Sequence, residues 1–479
     1  MNLKDYAAHD ALGLAQLVKN KEVTAEELLD CALQASEALN GDLNAIVRSM
    51  EAEARAAIAE GLPAGPFEGV PFLLKDLTQS YAGVPTDCGS RFFKGWTRDF
   101  DSEMVARWKR AGAVIFAKTN TPEGGSSGST EPVANGPTHN PWKLGYTPGG
   151  SSGGSASGVA AGIAPAGHAN DGGGSIRIPA SACGLVGLKP SRGRTPNGPD
   201  FGELWNGIAV EHVVTRTVRD CAALLDVTAG PGVGEPYYAP PPSRPFLDEV
   251  GADPGTLKIG ISTKAPTGSA VDADCVGAAE ETAKLLEDLG HVVEPAAPSF
   301  DVETMFDGWT KIFQANEAWA FDGYGEATGQ TPSSENTEAN NLYLLEEGRK
   351  LSGSDLVQAI SDVHATTRDF AQFYEGYDIW LTPTLGTAPP AHGHLFADDD
   401  AEVFFERLMA FIPFTPIFNC TGNPAITLPL SWNADGLPIG VHFGGRMAEE
   451  ATLLRLAGQL EEARPWRNRH PATSVWSLG

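Results

Sequence analysis

The 479-residue chain carries 34 Lys+Arg against 61 Asp+Glu, a formal net charge of −27 at pH 7. A field of that sign repels nucleic-acid phosphates and anionic lipid headgroups, so neither a nucleic acid nor a membrane is an expected partner. Hydrophobic residues make up 42%, enough for a large core, and the 6 Cys lie apart without a CxxC pair, which excludes a disulfide scaffold.

The segment from Met1 to Tyr6 has no basic stretch leading into an apolar one, and no run reaches the roughly 18–20 apolar residues of a membrane helix. The expectation is a cytoplasmic protein whose cysteines are small buried hydrophobes. Two helices are predicted near the start. Leu12, Leu14, Leu17 and Val18 recur at helical spacing, and Thr24 with Glu27 forms a capping box ahead of Leu28, Leu29 and Ala32. The apolar runs 69–74 and 113–117 read as buried strands separated by helical segments, which predicts an α/β fold. The small residues of 156–166 fit a closely packed helix. Residues 236–245 are proline-rich and read as a linker or surface excursion. Further on, 257–261 and 379–381 read as strands, and Leu453, Leu454, Leu456 and Leu460 mark a late helix. The aromatics of 305–345, among them Trp309, Phe313, Trp319, Phe321 and Tyr324, read first as core and second as a substrate pocket.

Glycine and serine concentrate at 124–128, 149–155 and 172–175. A flexible linker is one reading. The segments run directly into apolar or small-residue stretches, however, and closely spaced glycines present several backbone N–H groups in one concavity, which suits an oxyanion. A phosphate loop lacks its GxxxxGK[ST], and a dinucleotide loop lacks its GxGxxG spacing. Gly149-Gly150-Ser151-Ser152-Gly153 also matches the G-x-S-x-G elbow of a Ser-His-Asp esterase with Ser151 as nucleophile, and histidines such as His364, His392 and His442 follow downstream. His392-Gly393-His394 reads as a loop, and no metal-ligand set is recognisable.

Several of these segments together resemble the amidase signature family. The residues that carry the likeness are 69–76 (Gly-Val-Pro-Phe-Leu-Leu-Lys-Asp), 117–123, 140–142, 148–155, 171–190, 422–425 and 435–440, in order along most of the chain. The resemblance implies one continuous domain, 1–479, with a mixed central sheet flanked by helices on both faces. It places a serine/lysine core at about 60–230 and a more variable substrate side at about 295–400, where length alone would suggest ~3 domains. It also implies an amidohydrolase without cofactor or metal, acting on a small amide, as a monomer or homodimer. Ser175 is implied as nucleophile, Ser151 (after a cis peptide) as proton relay and Lys75 as general base. Gly172, Gly173 and Gly174 would supply oxyanion donors, with Asp171, Arg177 and Ser152 as structural support. The His168-Ala169-Asn170-Asp171 run leans toward the branch that includes 6-aminohexanoate-cyclic-dimer hydrolase. Ile178 departs from the glutamine usual in the A subunit of tRNA-dependent amidotransferases, the other family role open to the chain. Gly172 replaces the usual Thr or Ile, which bears on loop stiffness.

This chemistry makes demands that the sequence can meet. An amide is a poor electrophile and a serine a poor nucleophile, so Lys75 must be uncharged to act as base, and burial beyond Phe72-Leu73-Leu74 would favour that. Carbamates and esters pass through the same tetrahedral state. Asp76 would oppose the neutral lysine if it faced the same way, but adjacent strand residues point to opposite faces. Lys118 and Lys189 read as surface charges or structural groups.

Overall fold

A computed structural model describes residues 1–478. Eleven strands form one sheet: β1 (Ile46–Ser49), β2 (Pro71–Lys75), β3 (Val114–Thr119), β4 (Ala166–Asp171), β5 (Val186–Lys189), β6 (Val210–Thr215), β7 (Lys258–Ile261), β8 (Val292–Pro295), β9 (Ile379–Pro383), β10 (Ala425–Trp432) and β11 (Pro438–Gly445). Their spatial order is β1-β3-β2-β4-β6-β5-β10-β11-β9-β7-β8. Parallel pairs, β3/β2/β4 on one side and β9/β7/β8 on the other, flank an antiparallel centre from β4 to β9. The parallel pairs need crossovers, and helices provide them: Glu103–Arg110 joins β2 to β3 and Ala273–Asp288 joins β7 to β8. The mixed sheet between helices is the architecture expected above.

Strands β2 and β3 are buried along their whole length, as their unbroken apolar runs require of strands covered on both faces. Trp108, Phe72, Leu28 and Leu29 belong to the large apolar cluster on this side, and a second cluster around Ile259, Leu381, Val441 and Leu454 fills the other. The Thr24–Glu27 capping box is present at the start of Ala25–Leu43. One further short helix, Leu3–Ala8, precedes the two expected; at six residues it is too brief to leave a periodic signal and is held instead by the Tyr6 hydroxyl donating to the Ile163 carbonyl. No single helix is long and apolar enough to cross a membrane.

One expectation needs correction: of the two readings given for Lys118 and Lys189, the surface one fails, because both are fully buried. The glycine-serine run at 149–155 is wholly buried, in keeping with the reading that set the linker aside. A Cβ on Gly150 would stand 2.4 Å from the Ser129 carbonyl oxygen, so only glycine lets the chain pass.

Candidate active site

Lys75 ends β2 and Asn170 lies next to last in the neighbouring parallel strand β4, so both project from carboxyl ends of strands, where open α/β sheets collect their sites. The Gly/Ser segment passes over this edge before entering the Gly153–Ala160 helix. Lys75 Nζ, with no solvent exposure, donates to Ser151 Oγ at 2.7 Å, Ser152 Oγ at 3.0 Å and Asn170 Oδ1 at 2.6 Å. The Gly150–Ser151 peptide is cis. Burial pushes the Lys75 amine down from the usual 10.5 to about 7, against the opposing fields of Glu211 and Asp171. That displacement corresponds to ~5 kcal/mol between the two protonation states.

What surrounds the lysine explains why burial wins. Its three contacts are neutral oxygens. The adjacent carboxylate, Asp76, points to the other face, 3.4 Å from Lys118 Nζ, and accepts from the Asp87 amide. Asn170 is held in turn: its Nδ2 donates to Thr78 Oγ1, which donates to Glu211 Oε1, while His168 Nε2 lies 2.6 Å from Glu211 Oε2. Asn170 stands opposite Glu211 in the antiparallel β4/β6 register. Sequence reading missed Asn170, Thr78 and Glu211 as parts of the site. The signal available for Asn170 was strand alternation, which puts it on the face opposite Asp171.

The loop from Gly172 to Ser175 follows β4 directly, and its carbonyls are fixed on the scaffold side. Trp309 Nε1 donates to the Gly172 carbonyl at 3.1 Å, Thr415 Oγ1 to that of Gly173 at 2.7 Å, and the Ile178 amide to that of Gly174 at 2.7 Å. The amides of Gly173 and Ser175 have no acceptor among the described residues, and these are the two loop residues left partly exposed. Gly174 differs from the expectation: its amide donates to Asp171 Oδ1 at 2.8 Å and so is already engaged. Its φ of +131° and a would-be Cβ 2.3 Å from Thr415 Oγ1 exclude a side chain there.

Asp171 anchors this loop. Its carboxylate also accepts from the Ile176 amide, from Arg177 Nε and Nη2 at 2.9 Å each, and from Asn419 Nδ2 at 2.8 Å. Desolvation alone would raise its pKa, but the Arg177 guanidinium outweighs it and holds the carboxyl at about 2. Gly172, the departure from the usual Thr or Ile, has the Trp205 ring where a side chain would be, 2.4 Å from the would-be Cβ. The indole takes the volume that a β-branched residue would fill. The loop is thus braced by Trp309, Thr415, Asp171 and Trp205.

Among the described residues, no side chain hydrogen-bonds the Ser175 hydroxyl, and no histidine reaches Ser151, as an elbow-type esterase would need. His168 and His442 are committed to Glu211 and Arg177. A cavity of about 450 Å³ opens beside the loop, with Thr78, Gly124, Trp205 and Glu317 on its wall. A larger one of about 870 Å³ lies among the terminal segments, and neither cavity has Lys75, Ser151 or Ser175 on its wall.

The amidase family model matches residues 27–454. The chain is 37% identical over 475 residues to 6-aminohexanoate-cyclic-dimer hydrolase of Paenarthrobacter ureafaciens, covering 96% of each chain. It is also 37% identical to a putative amidase, AmiC, of Mycobacterium leprae over 95% of each. Among solved structures, 6-aminohexanoate cyclic dimer hydrolase complexed with substrate superposes with a TM-score of 0.92 at 36% identity, over 98% of this chain and 99% of the other. The fold, the family match along nearly the whole chain and these full-length likenesses lead to one conclusion: the protein belongs to the amidase family, as a hydrolase of non-peptide carbon–nitrogen bonds.

Proposed function

We propose that the protein hydrolyses small amides, apolar, aromatic or cyclic in character, through an acyl-enzyme on Ser175. The observation that carries this reading is the fully buried Lys75 amine, 2.7 Å from the Ser151 hydroxyl and with its pKa at about 7. A charged ammonium uses all three of its N–H groups on Ser151, Ser152 and Asn170. Once neutral it has two N–H groups and a lone pair, so the Ser151 bond reverses and the hydroxyl donates to Nζ. Ser175 Oγ then attacks the carbonyl carbon, passing its proton to Ser151 as Ser151 passes its own to Lys75. Negative charge collects on the carbonyl oxygen, where the unengaged amides of Gly173 and Ser175, with Gly172, serve as donors worth ~2.7–4 kcal/mol each. The same relay reversed protonates the leaving nitrogen, and water cleaves the acyl ester in a second round. Carbamates would enter by the same tetrahedral step.

Hydrolysis of an anilide tests this. Ser175→Ala and Lys75→Ala are each expected to lower kcat by at least about 10³-fold with circular dichroism unchanged. Fluorophosphonate labelling followed by peptide mass spectrometry is expected to find the adduct on Ser175. An adduct on Ser151, or full activity in Ser175→Ala, overturns the assignment.

A further inference from the structure

Glu317 lies in the Val302–Thr328 helix, 5% exposed, on the wall of the 450 Å³ cavity. Two other buried carboxyls share its neighbourhood. Glu123 accepts from the Ser90 hydroxyl, Asn341 Nδ2 and the Glu338 amide, and Glu338 accepts from the Val133 amide through Oε1 while its Oε2 has no partner. Among the described residues nothing donates to Glu317, whose electrostatic environment consists of burial and repulsion from Glu123. Its oxygens open onto the cavity, where a donor carried by a bound molecule can reach them. Glu317 Oε2 lies over Gly124, 3.3 Å from where a Cβ would be, and the next residue, Gly125, faces Ser151 Oγ at the same distance. Two such contacts and one Cα–Cα step put the carboxylate within about 13 Å of the Ser151 hydroxyl.

The rest of the wall has a matching character. Trp96, Trp205, Trp319 and Tyr324 line it, and aromatic faces attract cations. Its one cation among the described residues, Arg98, is occupied by Asp200 at 3.5 Å and by the Trp96 ring at 4.5 Å. The cavity thus pairs aromatic surface with the unpartnered Glu317 carboxyl, with Glu203 on the same wall.

We propose that Glu317 is a specificity-determining residue that receives a protonated amine carried by the substrate some distance from the scissile amide. This deepens the amide-hydrolysing reading and rests on it. In the empty protein, burial and Glu123 raise the Glu317 carboxyl to about 8, so at pH 7 it is mostly protonated. The other ionisable groups around it are Cys88 from the loop after β2, Arg98, Asp200, Glu203 and Tyr324 on the same cavity wall, and Arg91, whose positive charge acts on Glu123. Binding an ammonium therefore releases the Glu317 proton, and affinity for such a substrate improves as pH rises toward 8.

The test compares two near-isosteric anilides, 6-aminohexanoyl and heptanoyl p-nitroanilide. The wild-type kcat/KM ratio is expected to favour the ammonium substrate, and Glu317→Gln to lower that ratio at least tenfold, mainly through KM. Glu317→Asp should retain part of the preference. An unchanged ratio in Glu317→Gln, or a wild type that prefers the neutral anilide, overturns the proposal. Where Glu317→Gln does not fold, inhibition of the wild type decides: hexylammonium should bind at least tenfold tighter than hexanol, and equal binding overturns the proposal. Absence of turnover with either anilide would tell against the catalytic reading instead. Calorimetric titration of the wild type with hexylammonium and hexanol would then still decide on Glu317, by the same tenfold criterion.

Discussion

Lys75 is surrounded by as many acceptors as an ammonium has hydrogens, yet burial displaces its equilibrium toward the amine. The balance depends on those acceptors being neutral. Activity that requires the free amine should rise with pH through about 7 and level off above, and the pH profile of kcat/KM reads this directly. Asn170 is the sensitive point, because its Oδ1 is 2.6 Å from Nζ. Asn170→Asp keeps the shape and adds a negative charge, which favours the ammonium and should move the inflection upward by about 1–3 pH units. At pH 7 the variant is then expected to lose roughly the matching powers of ten in rate and to recover them in alkaline buffer. An inflection that stays at 7 would show that another group titrates there.

The loop after β4 and the short Thr415–Thr421 helix act as one unit. Thr415 and Asn419, one turn apart on that helix, hold the Gly173 carbonyl and the Asp171 carboxylate, and Arg177 closes the brace by also donating to Asn419 Oδ1. Removing Arg177 strands a buried carboxylate, so Arg177→Met is expected to cost about 3–5 kcal/mol in urea unfolding at pH 7. The loss should shrink below pH 4, where the stranded Asp171 can take a proton. This unit marks the limit of what the chain declares locally. The capping box of Ala25–Leu43 and the apolar run of β2 follow from residues a few positions apart and are legible as written. Lys75, Ser151 and Ser175 are legible through a set of motifs in fixed order rather than through their own spacing. Thr415, Asn419 and Glu211 carry no such signal, because each meets the loop or the lysine only after the sheet has formed. Trp205 is similar: the missing side chain at Gly172 is visible in the sequence, and the indole that replaces it is not.

Across the molecule, the sheet encloses charges that a smaller core could not. Lys75, Lys118, Arg177, Arg194 and Lys189 are all essentially buried in a chain of net charge −27. Most have a carboxylate: Lys118 has Asp76, Arg177 has Asp171 and Arg194 has Glu450. Lys189 has none in contact. It ends β5, beside β10, with Nζ donating to the Pro190 carbonyl at 2.9 Å, and burial, reinforced by Arg177, lowers it to about 7. The unfolded chain holds that proton up to about 10.4, so between these values the unfolded state binds more protons and stability rises with pH. Below pH 7 the cost of burying the amine is at its full value, with a ceiling of ~5 kcal/mol set by the displacement in pKa. Lys189→Met removes that cost while keeping most of the side-chain volume. Its gain in stability over the wild type, measured by urea unfolding, is therefore expected to be largest at pH 7 and to fall away by pH 10. A gain of equal size at both pH values would mean that the Lys189 amine stays charged inside the protein, held by more than the Pro190 carbonyl.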